Sequence, residues 1–337
     1  MRADLTICAA YNAFVSTILV TGGAGYIGSN TTLQLLDAGY DVIVADNLSR
    51  GHREKVLPER LRQVDLNDTE GLLRVMAEQP IEAVIHFAAY IAVGESMKQP
   101  ELYFKNNTAG SLSLLTAMVK ANVKKIVFSS TAAVYGMPSK VPIPEDLPYA
   151  PINAYGESKV MVEQLLRWFD EIHGMKSVCL RYFNAAGADP QGRAGEDHDP
   201  ETHLIPLMLR AIQTGTPMTL FGDDYPTPDG TCIRDYIHVT DLARAHIAAV
   251  KHLSAGGESK KYNVGTGSGF SVKEVLDAVE RVTGKKVPHT MGPRREGDPA
   301  ELVADSSRLR NEQGWSPVYS GIDQIVETAW AWANRPK

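Results

Sequence analysis

The sequence predicts an α/β fold, a doubly wound parallel sheet with a smaller, interleaved C-terminal α/β region. Three features carry this. From Thr17 short β-branched runs alternate with longer helical patterns, which is how βαβ units read. The strand runs are apolar without alternation, as expected of parallel strands covered on both faces. A glycine-rich turn also follows the first strand directly and opens the first helix, the arrangement of a Rossmann unit.

In chain order, strands are expected at 18–21, 42–45, 83–87, 126–129 and 178–182, with helices at 26–37, 69–78, 101–121 and 154–172 between them. In the 101–121 stretch Leu112, Leu115, Met118 and Val119 recur at helical spacing and are expected to pack inward. Past residue 185 the alternation gives way to loops rich in Gly, Pro, Asp and His, around 186–202 and 222–231, where specificity usually resides. Two later segments, 236–239 with a helix to about 253 and 262–264 with a helix at 271–283, read as returns to the sheet. The expected domains are therefore 17–184, with returns near 236–265, and 185–337. Residues 1–16 make a poor signal peptide, because Asn12 breaks a mildly apolar stretch, and read as a floppy extension.

Composition narrows the partners. The 337 residues carry a net charge of -6, against the basic balance of a general nucleic-acid or membrane-surface binder. No apolar run approaches the roughly 20 residues of a membrane span. Cys8, Cys179 and Cys232 are too far apart to suggest a disulfide framework or a zinc site, so a reducing cytoplasm is expected and no metal ligand is assigned.

The turn Thr21-Gly22-Gly23-Ala24-Gly25-Tyr26-Ile27-Gly28 satisfies Gly-x-Gly-x-x-Gly and Gly-x-x-Gly-x-x-Gly together. Such glycines let a pyrophosphate approach the backbone N–H groups at a helix N-terminus. Asp46 ends the next strand 18 residues after Gly28, near the spacing of a carboxylate that accepts from an adenosine ribose. A carboxylate there repels a 2'-phosphate, so NAD is favoured over NADP; a loop-capping Asp is the competing reading. Tyr155 and Lys159 stand four residues apart, one helical turn, which puts a phenol and an ammonium on one face. A nearby cation stabilises phenolate, so Tyr155 is expected to have a lowered pKa and to act as a proton acceptor.

The glycine turn, Asp46-Asn47, Ser129-Ser130-Thr131 and Tyr155-x-x-x-Lys159 resemble the extended short-chain dehydrogenase/reductase family. Arg181-Tyr182-Phe183-Asn184, Phe221 to Thr227, Arg234 to Val239 and Arg295 to Asp298 are similar to its UDP-hexose 4-epimerase branch, and the likeness runs from about Thr17 to Trp332. The resemblance implies NAD-dependent inversion at C4 of a UDP-hexose through a transient 4-keto sugar, with Tyr155 as base, Lys159 lowering its pKa, and Thr131 bridging to the sugar hydroxyl. It implies cofactor contacts from Gly22, Gly25, Tyr26, Ile27 and Gly28; from Asp46, Asn47, Leu48 and Ser49; from Asp65 and Leu66; and from Phe87, Ala88 and Ala89. Asn106, Ser129, Tyr182 and Phe183 complete that set, although Asn106 reads equally as a helix-surface amide. For the UDP-sugar it implies Asn184, His203, Leu204, Thr219, Leu220, Phe221, Arg234, Arg295, Asp298 and Leu302, alongside Thr131 and Tyr155. Ordinary ion pairing competes for the two arginines. Leu302 stands where several such enzymes carry Tyr; it leaves room for an N-acetyl group, or simply packs. Ile91 replaces a cofactor-contacting lysine of some members, which weakens the expected grip on NAD. A homodimer through the 101–121 and 154–172 helices is also implied. A sugar-nucleotide dehydratase would need an acid and a base beside the threonine, and Ala132-Ala133 offer neither.

Overall fold

A computed structural model of the chain describes residues 16–295 and 297–335. The segment read as an N-terminal extension lies, apart from residue 16, outside the described residues. The cofactor-side half contains β1 (Thr17–Thr21), α1 (Tyr26–Asp37), β2 (Asp41–Asp46), β3 (Leu61–Gln63), α2 (Thr69–Met76) and β4 (Ile81–His86). It continues with α3 (Val93–Ser96), α4 (Pro100–Tyr103), α5 (Gly110–Lys120), β5 (Lys125–Thr131), α6 (Ala154–His173) and β6 (Lys176–Tyr182). Then come β7 (Asn184–Ala186), α7 (Leu204–Thr214), β8 (Met218–Phe221), β9 (Ile233–Arg234), β10 (Tyr236–His238) and α8 (Val239–Ser254). The chain closes with β11 (Lys260–Val264), β12 (Phe270–Ser271), α9 (Val272–Thr283), β13 (His289–Gly292), β14 (Glu301–Leu302), α10 (Ser307–Gln313) and α11 (Ile322–Ala333).

Seven strands form one sheet in the order β11-β6-β5-β4-β1-β2-β3, parallel at every pairing. Alternate residues of each strand feed opposite cores, which is why the strands are apolar throughout. Ile18 and Val20 pack with Leu242, Ala245 and Val250 of α8, while Leu19 packs with Leu72 of α2 and Leu114 and Met118 of α5. A third core, with Met208, Val275 and Ile325, joins α7, α9 and α11 under the substrate-side loops. Strand order reverses between β1 and β4, so the crevice beyond their carboxyl ends is the natural ligand site.

Three expectations need correction. The 101–121 helix is broken: Phe104–Ala109 is a π-helical turn between α4 and α5, and π-turns favour functional sites. This turn brings Asn107 against α6, where its Nδ2 donates to Ser158 Oγ at 3.0 Å. Leu112 therefore faces outward, 43% exposed, while Leu114, Leu115 and Met118 fill the core. The 236–239 segment does not rejoin the main sheet; β10 pairs with β7 in a separate two-stranded sheet. The other return does, as β11 extends the main sheet beside β6. No described helix is long and apolar enough to cross a membrane.

Candidate active site

The glycine turn is sterically obligatory. Gly22 has φ +74°, and a Cβ there would lie 2.5 Å from Ala88 N; one on Gly28 would lie 2.1 Å from the Gly22 carbonyl oxygen. The turn is thus pressed against the end of β4, with Phe87 N and Ala88 N both donating to Thr21 O. α1 starts at Gly25 without a side-chain cap, leaving its positive end for an anion. Asp46 is buried at the end of β2, where its carboxylate accepts from Ala24 N at 3.0 Å and Leu48 N at 2.8 Å. Burial raises its pKa, and those two amides work against the rise. Leu48 sits at φ +62°, and Asn47 Nδ2 donates to Asp65 Oδ2 at 2.7 Å, tying the β2 and β3 ends together. Leu66 packs beneath Gly110. An uncapped helix, a cradle that tolerates no Cβ and a carboxylate at the end of β2 are the donor and acceptor set a dinucleotide requires, so the residues fit NAD.

Tyr155 and Lys159 lie on the first turns of α6, whose N-cap Asn153 accepts from Gly156 N at 2.8 Å. Both are buried, 8% and 3% exposed. Lys159 Nζ donates to Ser129 O at 2.8 Å, lies 4.8 Å from the Phe128 ring centroid and is 6.0 Å from that of Tyr155. The expected lowering of the phenol by Lys159 is not found. Burial pushes Tyr155 up to about 12, and only its hydrogen bond with the Thr131 hydroxyl pulls it back. Burial likewise lowers Lys159 to about 7, opposed by Glu163 one turn along the helix. Ser129 Oγ pairs with Tyr182 OH at 2.5 Å, closing a polar cluster around the catalytic candidates.

One cleft of about 1890 Å³ joins this cluster to the substrate-side loops. That exceeds the 300–1,000 Å³ of a single small-ligand site and suits a two-part ligand. Tyr155, Thr131, Tyr182, Phe183 and Ala89 line it, as do Asn184, His203, Leu204, Thr219, Leu220, Phe221, Arg234, Arg295, Asp298 and Leu302. Arg295 lies over the Phe221 ring, 4.3 Å from the centroid. Arg234 is paired with Asp298 and donates to Pro299 O at 2.8 Å, so two residues read as separate ligand contacts also touch each other. Asp235 holds this region in register, accepting from Thr266 N at 2.8 Å, Gly267 N at 3.0 Å and Ala304 N at 3.2 Å. Asn107, not its neighbour Asn106, takes the buried position, bridging Tyr90 to Ser158 of α6. Sequence reading gave no role to Asn107 or Asp235; the visible signal for Asp235 was a carboxylate in the β-branched and aromatic run Ile233 to Val239, where it falls between β9 and β10.

Residues 18–265 match the NAD dependent epimerase/dehydratase family. The chain belongs to that family. It is 54% identical over 324 residues to the UDP-glucose 4-epimerase of Lacticaseibacillus casei, covering 95% of this chain and 98% of that protein. Among solved structures it resembles UDP-glucose 4-epimerase from Brucella ovis in complex with NAD (TM-score 0.92, 45% identity, 95% of this chain and 99% of that one). It also resembles the UDP-Glc/GlcNAc 4-epimerase of Campylobacter jejuni (TM-score 0.82, 41% identity, 94% and 99% covered). The epimerase/dehydratase family uses NAD, and these likenesses agree with the cradle described above.

Lys159 gives this family member an unusual pH signature. Its folded pKa of about 7 lies below the ordinary lysine value, so folding opposes its charge. Below pH 7 it is charged folded and unfolded, and the cost is complete, about 5 kcal/mol at 1.36 kcal/mol per unit. Between pH 7 and about 10.5 the unfolded chain binds more protons, so stability rises with pH. Lys159→Met is therefore expected to melt a few degrees above the parent at pH 6 and to lose that advantage by pH 10. Calorimetry across this range checks it; an advantage that grows with pH refutes it.

Proposed function

We propose that this protein interconverts UDP-glucose and UDP-galactose, with NAD as a retained cofactor. The observation that carries this is the single cleft with Tyr155 and Thr131 at one part and Arg234, Arg295 and Phe221 at another. Tyr155 accepts the proton of the sugar 4-hydroxyl and later returns it, and Thr131 holds that hydroxyl in line. Lys159 Nζ, 6.0 Å from the Tyr155 ring centroid, does not by itself lower the phenol, so further positive charge has to favour the phenolate. Bound NAD would supply the hydride acceptor and, in its oxidised form, a positive charge. A sugar that turns over between the two half-reactions cannot itself be held tightly, so the grip belongs on UDP. Arg234 and Arg295 take the diphosphate bidentately. When Arg234 turns to the phosphates it leaves Asp298, whose carboxylate is then free to accept from the uridine ribose. Ala132 and Ala133, which follow Thr131, cannot supply the acid and base of a dehydration.

Leu302 of β14 lines the same cleft and is half-buried. We expect purified protein to convert UDP-Gal to UDP-Glc without net NADH and to accept UDP-GalNAc as well. Leu302→Tyr is expected to cut the acetylated reaction at least tenfold and leave the hexose reaction within about twofold, since one added ring fills the space an N-acetyl group needs. A parent inert on UDP-Gal sinks the main proposal, whereas a parent inert only on UDP-GalNAc sinks the Leu302 reading.

The pairing surface proposed for a homodimer is the outer side of α5 and α6. Leu112, Trp168 and Ile172 are 43%, 48% and 66% exposed there, large apolar groups that a second copy would cover. Sedimentation equilibrium is expected to give twice the chain mass; a monomer at micromolar concentration overturns this.

A further inference from the structure

The loop between β7 and α7 gathers a set of groups on the wall of the same cleft, of which His203 alone reads as a substrate contact, while Glu196, His198 and Glu201 have no part in the proposed reaction. Glu196, His198 and His203 place one donor atom each within 4.8 Å of one another. Glu196 Oε1 lies 2.5 Å from His198 Nδ1, and Glu196 Oε2 lies 3.4 Å from His203 Nδ1. Glu201 Oε1 approaches that same His203 nitrogen at 2.7 Å. The two imidazoles are tilted 46° with centroids 5.4 Å apart, so both point their Nδ1 atoms at carboxylates rather than at each other.

A second observation points to a ligand. The Glu196 side chain is only 8% exposed, and its Oε2 has no hydrogen-bond partner. A carboxylate oxygen desolvated without a donor is costly, and a shared cation removes that cost. We propose that Glu196, His198 and His203, completed by Glu201, bind a divalent transition metal, zinc by the character of the donors. Two imidazole nitrogens and carboxylate oxygens suit Zn²⁺, while Mg²⁺ and Ca²⁺ prefer oxygen alone. Metal binding needs neutral imidazoles and ionised carboxylates, so affinity for the ion falls as pH falls.

The ion would brace the strap over the cofactor half. Trp332 Nε1 donates to Glu196 O at 2.8 Å, Lys55 Nζ to Gly195 O at 3.2 Å, and His52 Nε2 pairs with Asp197 O at 2.7 Å. Lys55 is itself buried beside the set and faces Asp197 at 3.9 Å, so it offsets part of the local negative charge. Tyr26 of α1 reaches across to Gly187 O at 2.6 Å. His203 is the N-cap residue of α7, whose Leu204 lines the substrate cleft. Metal there fixes the start of α7 relative to the glycine turn.

The test uses full-length protein treated with chelator and titrated with Co²⁺ and then Zn²⁺. About one Co²⁺ per chain is expected to give the intense visible bands of a tetrahedral site, displaced by Zn²⁺, and the melting temperature is expected to rise with Zn²⁺ concentration. His198→Ala and Glu196→Gln should lose both signals while melting like the parent in chelator. His198 is partly exposed, so its variant decides the matter even if Glu196→Gln does not fold. A parent with no band and no rise in melting temperature, meaning a set of protonated histidine–glutamate pairs only, overturns the site, as does a His198→Ala protein that keeps the band.

Discussion

Tyr155→Phe is expected to lower kcat on UDP-Gal by about 10³-fold, roughly 4 kcal/mol of barrier, while KM and bound NAD stay within a factor of about three. The size follows from the geometry. Tyr155 lies on the cleft wall one helix turn before Lys159, with the Thr131 hydroxyl pulling its pKa down. The fold should tolerate the change, because the ring packs edge-on to Tyr103 at 6.5 Å and phenylalanine keeps that contact. A phenol pushed up to about 12 by burial is a poor base as it stands, so the proposed reaction needs positive charge brought close to it. The acidic limb of the parent's pH–rate profile should accordingly report an ionisation well below that of free tyrosine, and it should vanish in Tyr155→Phe. Turnover retained within tenfold would move the base to another residue.

How much of this was readable beforehand depended on the kind of interaction involved. The main sheet and its first helices were legible because burial on both faces leaves an unambiguous apolar record, as in Ile18, Leu19 and Val20. The glycine turn was legible because contacts as short as 2.1 Å leave no alternative residue at Gly28. Spacing also placed Tyr155 above Lys159, but it could not show where the ammonium would point. Its nitrogen goes to Ser129 O, a backbone atom on β5, and a one-dimensional pattern holds no trace of that partner. The π-helical turn was hidden for a related reason: Phe104–Ala109 reads as ordinary helix, and the bonds of Asn107 to Tyr90 and Ser158 are with residues distant in sequence. Glu196 and His198 read as loop composition and His203 as a substrate contact alone, since their convergence depends on how the loop closes over Lys55 and Trp332.

Arg181→Met is expected to destabilise the protein by about 3–5 kcal/mol, because it strands a buried carboxylate. Arg181 and Glu163 are 2% and 0% exposed and meet in a fork, Nε to Oε1 at 3.0 Å and Nη2 to Oε2 at 2.7 Å. Ser130 Oγ donates to the same carboxylate at 2.6 Å and Tyr149 OH at 2.8 Å, while Arg181 Nη1 reaches Tyr135 OH at 2.8 Å. Burial alone would raise the Glu163 carboxyl, yet the hydrogen bonds and charge of Arg181 leave it below its ordinary value. The double variant Arg181→Met/Glu163→Leu removes both charges and should cost less than the single change, a non-additivity that urea titration measures directly. If the two costs simply add, the fork is not an isolated ion pair. The same cycle reaches the active site. Glu163 lies one turn beyond Lys159 on α6 and raises its pKa, so Arg181→Met leaves that carboxylate uncompensated and should move the Lys159 ionisation upward. The double variant, which has no carboxylate left, should move it down. Opposite shifts of one titration from two variants that share the loss of Arg181 would tie the buried fork to the charge state of the proton-transfer site.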